Sequence, residues 1–255
     1  MGKLEYSILR YRSSFISGEA INLAAIFCFC EPPQREFYHI KNWNRVSAFD
    51  DSVSVPMLKD IMLDMEDEIG TVLNYPEFML QDYITKYHSE LYFEGIMSLD
   101  DVHEKEINQE IENIKRMYFP SEYKKEERPK YDDQKKFLNR ILKAKHVKYE
   151  RDSKEFGSFQ AEIRYDYTFN GFGVKFFDLN NKKASGQTLQ SVKAWSWNCS
   201  NAPEGIKTII LYDLADDEVN AAAPILGILK SAQPYRLINV HEGFNAFEAL
   251  FGDVT

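Results

Sequence analysis

Residues 161–179, AEIRYDYTFNGFGVKFFDL, constrain the fold more than any other stretch of this chain. Asn170-Gly171 divides two runs rich in aromatic and aliphatic residues. An Asn-Gly pair tolerates the positive φ that a two-residue hairpin turn needs at both positions, so the stretch predicts two antiparallel strands. On the first strand, alternation places Glu162, Arg164, Asp166 and Thr168 on one face. It sends Ile163, Tyr165, Tyr167 and Phe169 to the other.

The chain before this hairpin begins with strand patterns. Residues 4–12 (LEYSILRYR), 20–30 (AINLAAIFCFC) and 35–48 (REFYHIKNWNRVSA) read as strands, the second so apolar that it belongs at the centre of a sheet. Pro56 opens a helix with Ser54 as its cap, and Leu58, Ile61, Met62, Met65 and Ile69 form its apolar stripe. Residues 76–90 predict a further helix and 91–99 a fourth strand. Residues 100–119 predict a charged helix with Ile107, Ile111, Ile114 and Met117 as a narrow stripe.

Residues 120–133 (PSEYKKEERPKYDD) hold two prolines and little to bury. They mark a charged linker, 121–133, between an N-terminal α/β domain at 1–120 and a C-terminal α/β domain at 134–255. In the second domain, helices are expected at 134–145, 188–197, 219–232 and 245–251. Strands are expected at 147–151, 159–169, 173–179, 206–214 and 235–240. The predicted fold class is α/β (α+β), with two small domains, each a mixed sheet with packed helices.

With 255 residues, 44% of them hydrophobic, the chain is long enough to bury two small cores. No apolar run approaches the roughly 18–20 residues of a membrane span, and MGKLEYS has no signal-peptide pattern. A soluble, cytoplasmic protein without membrane partners is expected. Cys28, Cys30 and Cys199 are too few for a disulfide framework, and Cys28 and Cys30 read as core thiols rather than zinc ligands. The net charge of −9 is uneven: −10 over residues 1–120, +4 over 121–160 and −3 over 161–255. Nucleic acid is therefore repelled by the N-terminal half, and any contact centres on the basic segment.

Tyr6, Leu9-Arg10-Tyr11, Glu19 and Ile21-Asn22-Leu23 resemble the opening of the bacterial domain-of-unknown-function family numbered 3037, over roughly the first hundred residues. Ala24 departs from that pattern, where such proteins often carry Gly. The resemblance implies a prokaryotic or phage setting, near kinase-like toxin genes, and carries no catalytic residues with it. The order of elements over residues 134–214, a helix, three strands, a helix and a strand, resembles restriction-endonuclease-like domains. The Tyr-Asp-Tyr…Asn-Gly pattern is also similar to C-terminal domains of phage-related and toxin–antitoxin-associated proteins.

The second resemblance implies an Mg²⁺-dependent phosphodiester hydrolase, which needs carboxylates for the metal and a Lys near the attacking water. Asp166 matches the acid of the second strand, with Glu162 in support. The third strand reads GVKFFDL, with Lys175 and Asp178, and lacks the acid-spacer-lysine triplet of that family. Asp166 and Asp178 are therefore either metal ligands or polar strand residues. Asp213 follows a buried strand at the end where α/β ligands bind, or caps the next helix.

Lys135, Lys136, Arg140, Lys143 and Lys145 are the candidate nucleic-acid contacts, interleaved with Phe137 and followed by Tyr149. No P-loop, G-x-G-x-x-G or G-x-S-x-G motif is present. The functional expectation is a binding or regulatory component of a prokaryotic or phage conflict system, with no cofactor and a protein partner. The alternative is a divergent nuclease using Mg²⁺. A structural homodimer through residues 100–119 is a third possibility.

Overall fold

The structure is a computed structural model that describes residues 2–13, 20–30, 33–72, 78–144, 146–179, 186–214 and 219–240. The chain is an α/β protein of two units, Met1–Pro129 and Lys130–Thr255. Among the described residues no helix is long and apolar enough to cross a membrane.

In the first unit, β1 (Gly2–Arg12), β2 (Ala20–Cys30) and β3 (Pro33–His39) form an antiparallel meander. The free edge of β1 is shared by two short strands, β4 (Leu91–Phe93) and β5 (Met97–Val102). Among the described residues all these pairings are antiparallel. Residues 21–29 are buried throughout, which is the environment an uninterrupted apolar run requires.

Among the described residues, helices α1 (Asn44–Phe49), α2 (Val55–Val72), α3 (Leu80–Ile84) and α4 (Ile107–Tyr118) accompany the sheet. Leu58, Met62, Met65 and Ile69 of α2 are buried, as their spacing requires, and so are Ile107, Ile111, Ile114 and Met117 of α4. Three boundaries differ from expectation. The third strand stops at His39, and Asn42 starts a turn into α1 by accepting the Asn44 N–H on its side chain at 3.3 Å. Residues 97–102 pair with β1, so the charged helix begins only at Ile107. The helix expected over 76–90 is reduced to α3, with residues 73–77 outside the described set.

Of the residues that carry the family resemblance, Arg10, Tyr11 and Asn22 form structural ties, and Glu19 lies outside the described residues. Arg10 donates to Glu94 Oε1 and to the Ala20 carbonyl, both at 3.0 Å, while Ser7 Oγ donates to the Glu94 carbonyl at 2.6 Å. Asn22 donates to the Tyr118 carbonyl at 3.1 Å and so caps the end of α4. Tyr11 donates to Asp50 at 2.7 Å.

The segment 121–133 is less of a free linker than its composition predicts. Pro120 is buried, and the Glu122 carboxylate accepts the Lys41 and Asn42 N–H groups at 2.8 and 3.2 Å. Helix α5 (Tyr131–Ala144) then starts three residues earlier than Gln134.

The second unit continues with β6 (Glu150–Arg151), β7 (Lys154–Phe156), β8 (Glu162–Arg164), β9 (Tyr167–Phe169) and β10 (Phe172–Asp178). Next come α6 (Gln187–Ser200), β11 (Lys207–Asp213), α7 (Val219–Ser231) and β12 (Arg236–Asn239). The sheet order is β12-β11-β10-β9-β6, parallel from β10 to β12 and antiparallel from β10 to β6. Two helical crossovers, α6 and α7, produce the parallel part. One core gathers Tyr165, Phe177 and Ile210 from the sheet with Val192 and Trp195 of α6 and Ile225 and Leu229 of α7.

Between α5 and α6 the chain makes five short strands where three are expected. β7 and β8 form their own hairpin outside the main sheet. Left-handed backbone at Asp152, Phe159 and Gln160 interrupts the extended runs, and none of these residues is Gly. The Asn170-Gly171 turn is as expected, with φ of 47° and 77° and Phe169 paired to Phe172. The helix expected at 245–251 lies outside the described residues.

Candidate functional site

Asp166 does not lie on the polar strand face where alternation puts it. The two residues between β8 and β9, Tyr165 and Asp166, hand the chain from one sheet to the other. Tyr165 N–H donates to Ser153 at 3.0 Å, and Asp166 N–H to Val174 at 2.8 Å. This transfer breaks the alternation, so Tyr165, Asp166 and Tyr167 are all buried in succession. Glu162 remains outside, ion-paired to Lys154 and Arg164, and does not support Asp166.

β9 pairs with β10 only as far as Val174, and the next N–H along that edge belongs to Phe176. The Asp166 side chain replaces the strand: Oδ2 accepts the Phe176 N–H at 2.9 Å. The same oxygen lies 3.0 Å from Lys175 Nζ, and Oδ1 lies 2.6 Å from Lys135 Nζ of α5. Lys175 Nζ also stands 5.5 Å from the ring centroid of Trp195 on α6. One carboxylate, 7% exposed, thus ties α5, the open edge of β10 and, through Lys175, α6.

Burial by itself pushes the Asp166 carboxyl up. The Lys135 hydrogen bond, the Lys175 charge and the Phe176 N–H outweigh it and hold the group below the usual carboxylate range. Such a group is a poor general base, because it stays ionised and both of its oxygens already accept hydrogen bonds.

Lys175 is therefore brought to Asp166, but Asp178 is placed elsewhere. It sits opposite Asp213 in the parallel register of β10 and β11, and Asp213 is buried and accepts a hydrogen bond from Gln134 Nε2 of α5. The acid of an acid-spacer-lysine triplet would stand at 173. That residue is Gly, and a Cβ there would come within 2.5 Å of the Tyr165 ring. Among the described residues, no three His, Cys, Asp or Glu side chains come together closely enough to hold a metal ion.

The described basic residues of α5 differ in their surroundings. Lys135 is committed to Asp166, Lys136 is exposed and 3.6 Å from Asp133, and Arg140 is half-buried. Lys143 is exposed, and Lys145 lies outside the described residues. Sequence reasoning missed both the Lys135–Asp166 pair and the Gln134–Asp213 pair. Gln134 carried a usable signal, because it occupies the apolar stripe of α5 three and four residues before Phe137 and Leu138.

Compared with protein-family models, with curated proteins and with solved structures, the chain matches none.

Proposed function

We propose that the protein is a non-catalytic binding or regulatory component, acting through a protein partner and through nucleic acid. Its second unit has five short strands between α5 and α6 where the nuclease-like order has three, and the acid that order would give to a metal serves in this reading as a structural tie. The observation that carries this reading is the Asp166 carboxylate, whose two oxygens are taken by Lys135, Lys175 and the Phe176 N–H. Gly173, with the Tyr165 ring in the space of its missing side chain, supports it from the neighbouring strand. The resemblance of the opening strands to family 3037 supports a prokaryotic or phage conflict system as the setting, in the cytoplasm.

One observation favours the alternative, an Mg²⁺-dependent nuclease using Asp166, Lys175 and Asp178. A carboxylate just before β9 and a lysine on β10, the two residue types that chemistry uses, meet at 3.0 Å. The two readings part on incubation with single- and double-stranded DNA and RNA in the presence of Mg²⁺ or Mn²⁺. The binding reading expects no cleavage. Cleavage by the wild type that disappears in both Asp166→Ala and Asp178→Ala would overturn it, the second variant leaving the Asp166 tie intact.

A further inference from the structure

Phe172 opens β10, Lys207 opens β11 as its register partner, and Tyr235 directly precedes Arg236 at the opening of β12. This is the end of the sheet that carries the Asn170-Gly171 turn. The Phe172 ring centroid lies 5.7 Å from that of Phe169 and 5.8 Å from that of Tyr235. Lys207 Nζ stands 4.8 Å from the Tyr235 centroid and 6.0 Å from that of Phe172, and the Arg236 guanidinium stands 5.0 Å from Tyr235. A cavity of about 520 Å³ adjoins the row, lined by Tyr149, Phe169, Phe172, Lys148 and Glu150 among others.

The cations here differ from those of α5. Lys148, Lys207 and Arg236 are exposed and, among the described residues, form no ion pair. Lys135 and Lys136 have carboxylate partners. Lys207 and Arg236 beside aromatic rings, with Lys148 nearby, are what single-stranded nucleic acid needs, charge for the phosphates and rings for the bases. The half-buried Phe172 ring and the exposed Tyr235 ring, 5.8 Å apart, give successive bases adjacent stacking partners. A duplex, whose bases are already stacked, offers nothing to those rings. Two glutamates, Glu150 and Glu155, also line the cavity, and the Ser153 hydroxyl donates to Glu155 at 2.9 Å. Carboxylates repel a bare anion but accept hydrogens from the exocyclic amine of a base.

The geometry points to a binding site for single-stranded nucleic acid on this end of the second unit. Lys148, Lys207 and Arg236 meet the backbone, Tyr235 and Phe172 stack bases, and Glu150 selects an amino-bearing base in the cavity. The site is separate from Asp166. Cleavage lost in Asp166→Ala and Asp178→Ala, which would overturn the proposal above, leaves this one standing, and absence of nucleic-acid binding removes the nucleic-acid part of that one and leaves its protein partner.

The test is fluorescence anisotropy of the full chain with labelled oligo-dA, oligo-dT and a duplex, each of about 12 nucleotides or base pairs, at about 50 and 200 mM salt. Oligo-dA is expected to bind saturably and more tightly than oligo-dT or the duplex, with affinity falling as salt rises. Tyr235→Ala, and separately Lys207→Glu with Arg236→Glu, should each weaken binding about tenfold or more. Lys136→Glu with Lys143→Glu on α5 should change it less than about threefold. All these side chains are at the surface, and circular dichroism verifies that each variant is folded. The proposal is overturned by no saturable binding at the lower salt or by a duplex bound as tightly as the single strand. It also fails if the α5 reversal costs as much as the reversal at Lys207 and Arg236.

Discussion

The ring of Tyr165 occupies the space that a side chain on Gly173 would need. A Cβ at 173 would lie 2.5 Å from one ring carbon and 2.7 Å from two others. The ring cannot withdraw easily, because it packs edge-on against Trp195 at 5.4 Å and its hydroxyl lies 3.0 Å from Thr208 Oγ1. Gly173→Ala is therefore expected to destabilise the second unit by about 1–3 kcal/mol, measured by urea denaturation. On a Tyr165→Leu background the same change should cost less than about 1 kcal/mol. An equal cost on both backgrounds would show that the ring is not the obstacle.

Asp166→Ala leaves two partly buried ammonium groups and the Phe176 N–H without their shared acceptor. A loss of about 3 kcal/mol is expected, at the low end for a broken buried pair because both lysines keep some water contact. The pH dependence has a definite sign. The folded carboxyl titrates below its ordinary value, so its contribution is complete above about pH 4 and disappears as the pH falls through the folded value. Wild type and variant should therefore differ by a constant amount from neutral pH down to about pH 5, and converge below about pH 4. Convergence at higher pH would contradict the assignment.

In the first unit, the Arg10–Glu94 pair is more deeply buried than any lysine pair at Asp166, with side-chain exposures of 12% and 6%. Arg10→Ala removes the guanidinium partner of the buried Glu94 carboxylate and should cost about 3–5 kcal/mol. Glu94→Gln keeps an acceptor for the guanidinium and should cost less. The order of the two denaturation midpoints checks this, and the reverse order would refute it.

The three thiols should separate on labelling with a soluble thiol reagent at mildly alkaline pH. Burial pushes Cys28 up to about 12 and Cys199 up to about 11, so neither forms much thiolate. Cys30 is exposed and should react first. Mass spectrometry of the partly labelled chain reads the order directly, and early modification of Cys28 would mean that β2 opens readily.

Local periodicity made much of this fold legible. The Asn170-Gly171 turn needs two positive φ angles and a paired residue on each side, and all of that information is contiguous. The stripes of α2 and α4 were readable for the same reason. Asp166 was not, because its orientation depends on a transfer between sheets two residues long. The strand breaks around it fall at Asp152, Phe159 and Gln160, where no glycine signals left-handed backbone. Lys135 and Asp166 are 31 positions apart, so one looked like a surface cation and the other like a lone acid. Only packing shows that each neutralises the other.

The shared edge of β1 carries a consequence in time. β1 and β2 are neighbours in sequence, but the partners that finish the sheet, β4 and β5, come from residues 91–102, and Ser7 waits for Glu94 across a separation of 87 positions. Asn22 further requires the Tyr118 carbonyl, 96 positions away, and the turn after β3 requires Glu122. A ribosome releasing this chain from its N-terminus therefore exposes the outer edge of an apolar hairpin well before the strands that pair with it exist. The first unit can close only after residue 122 has emerged.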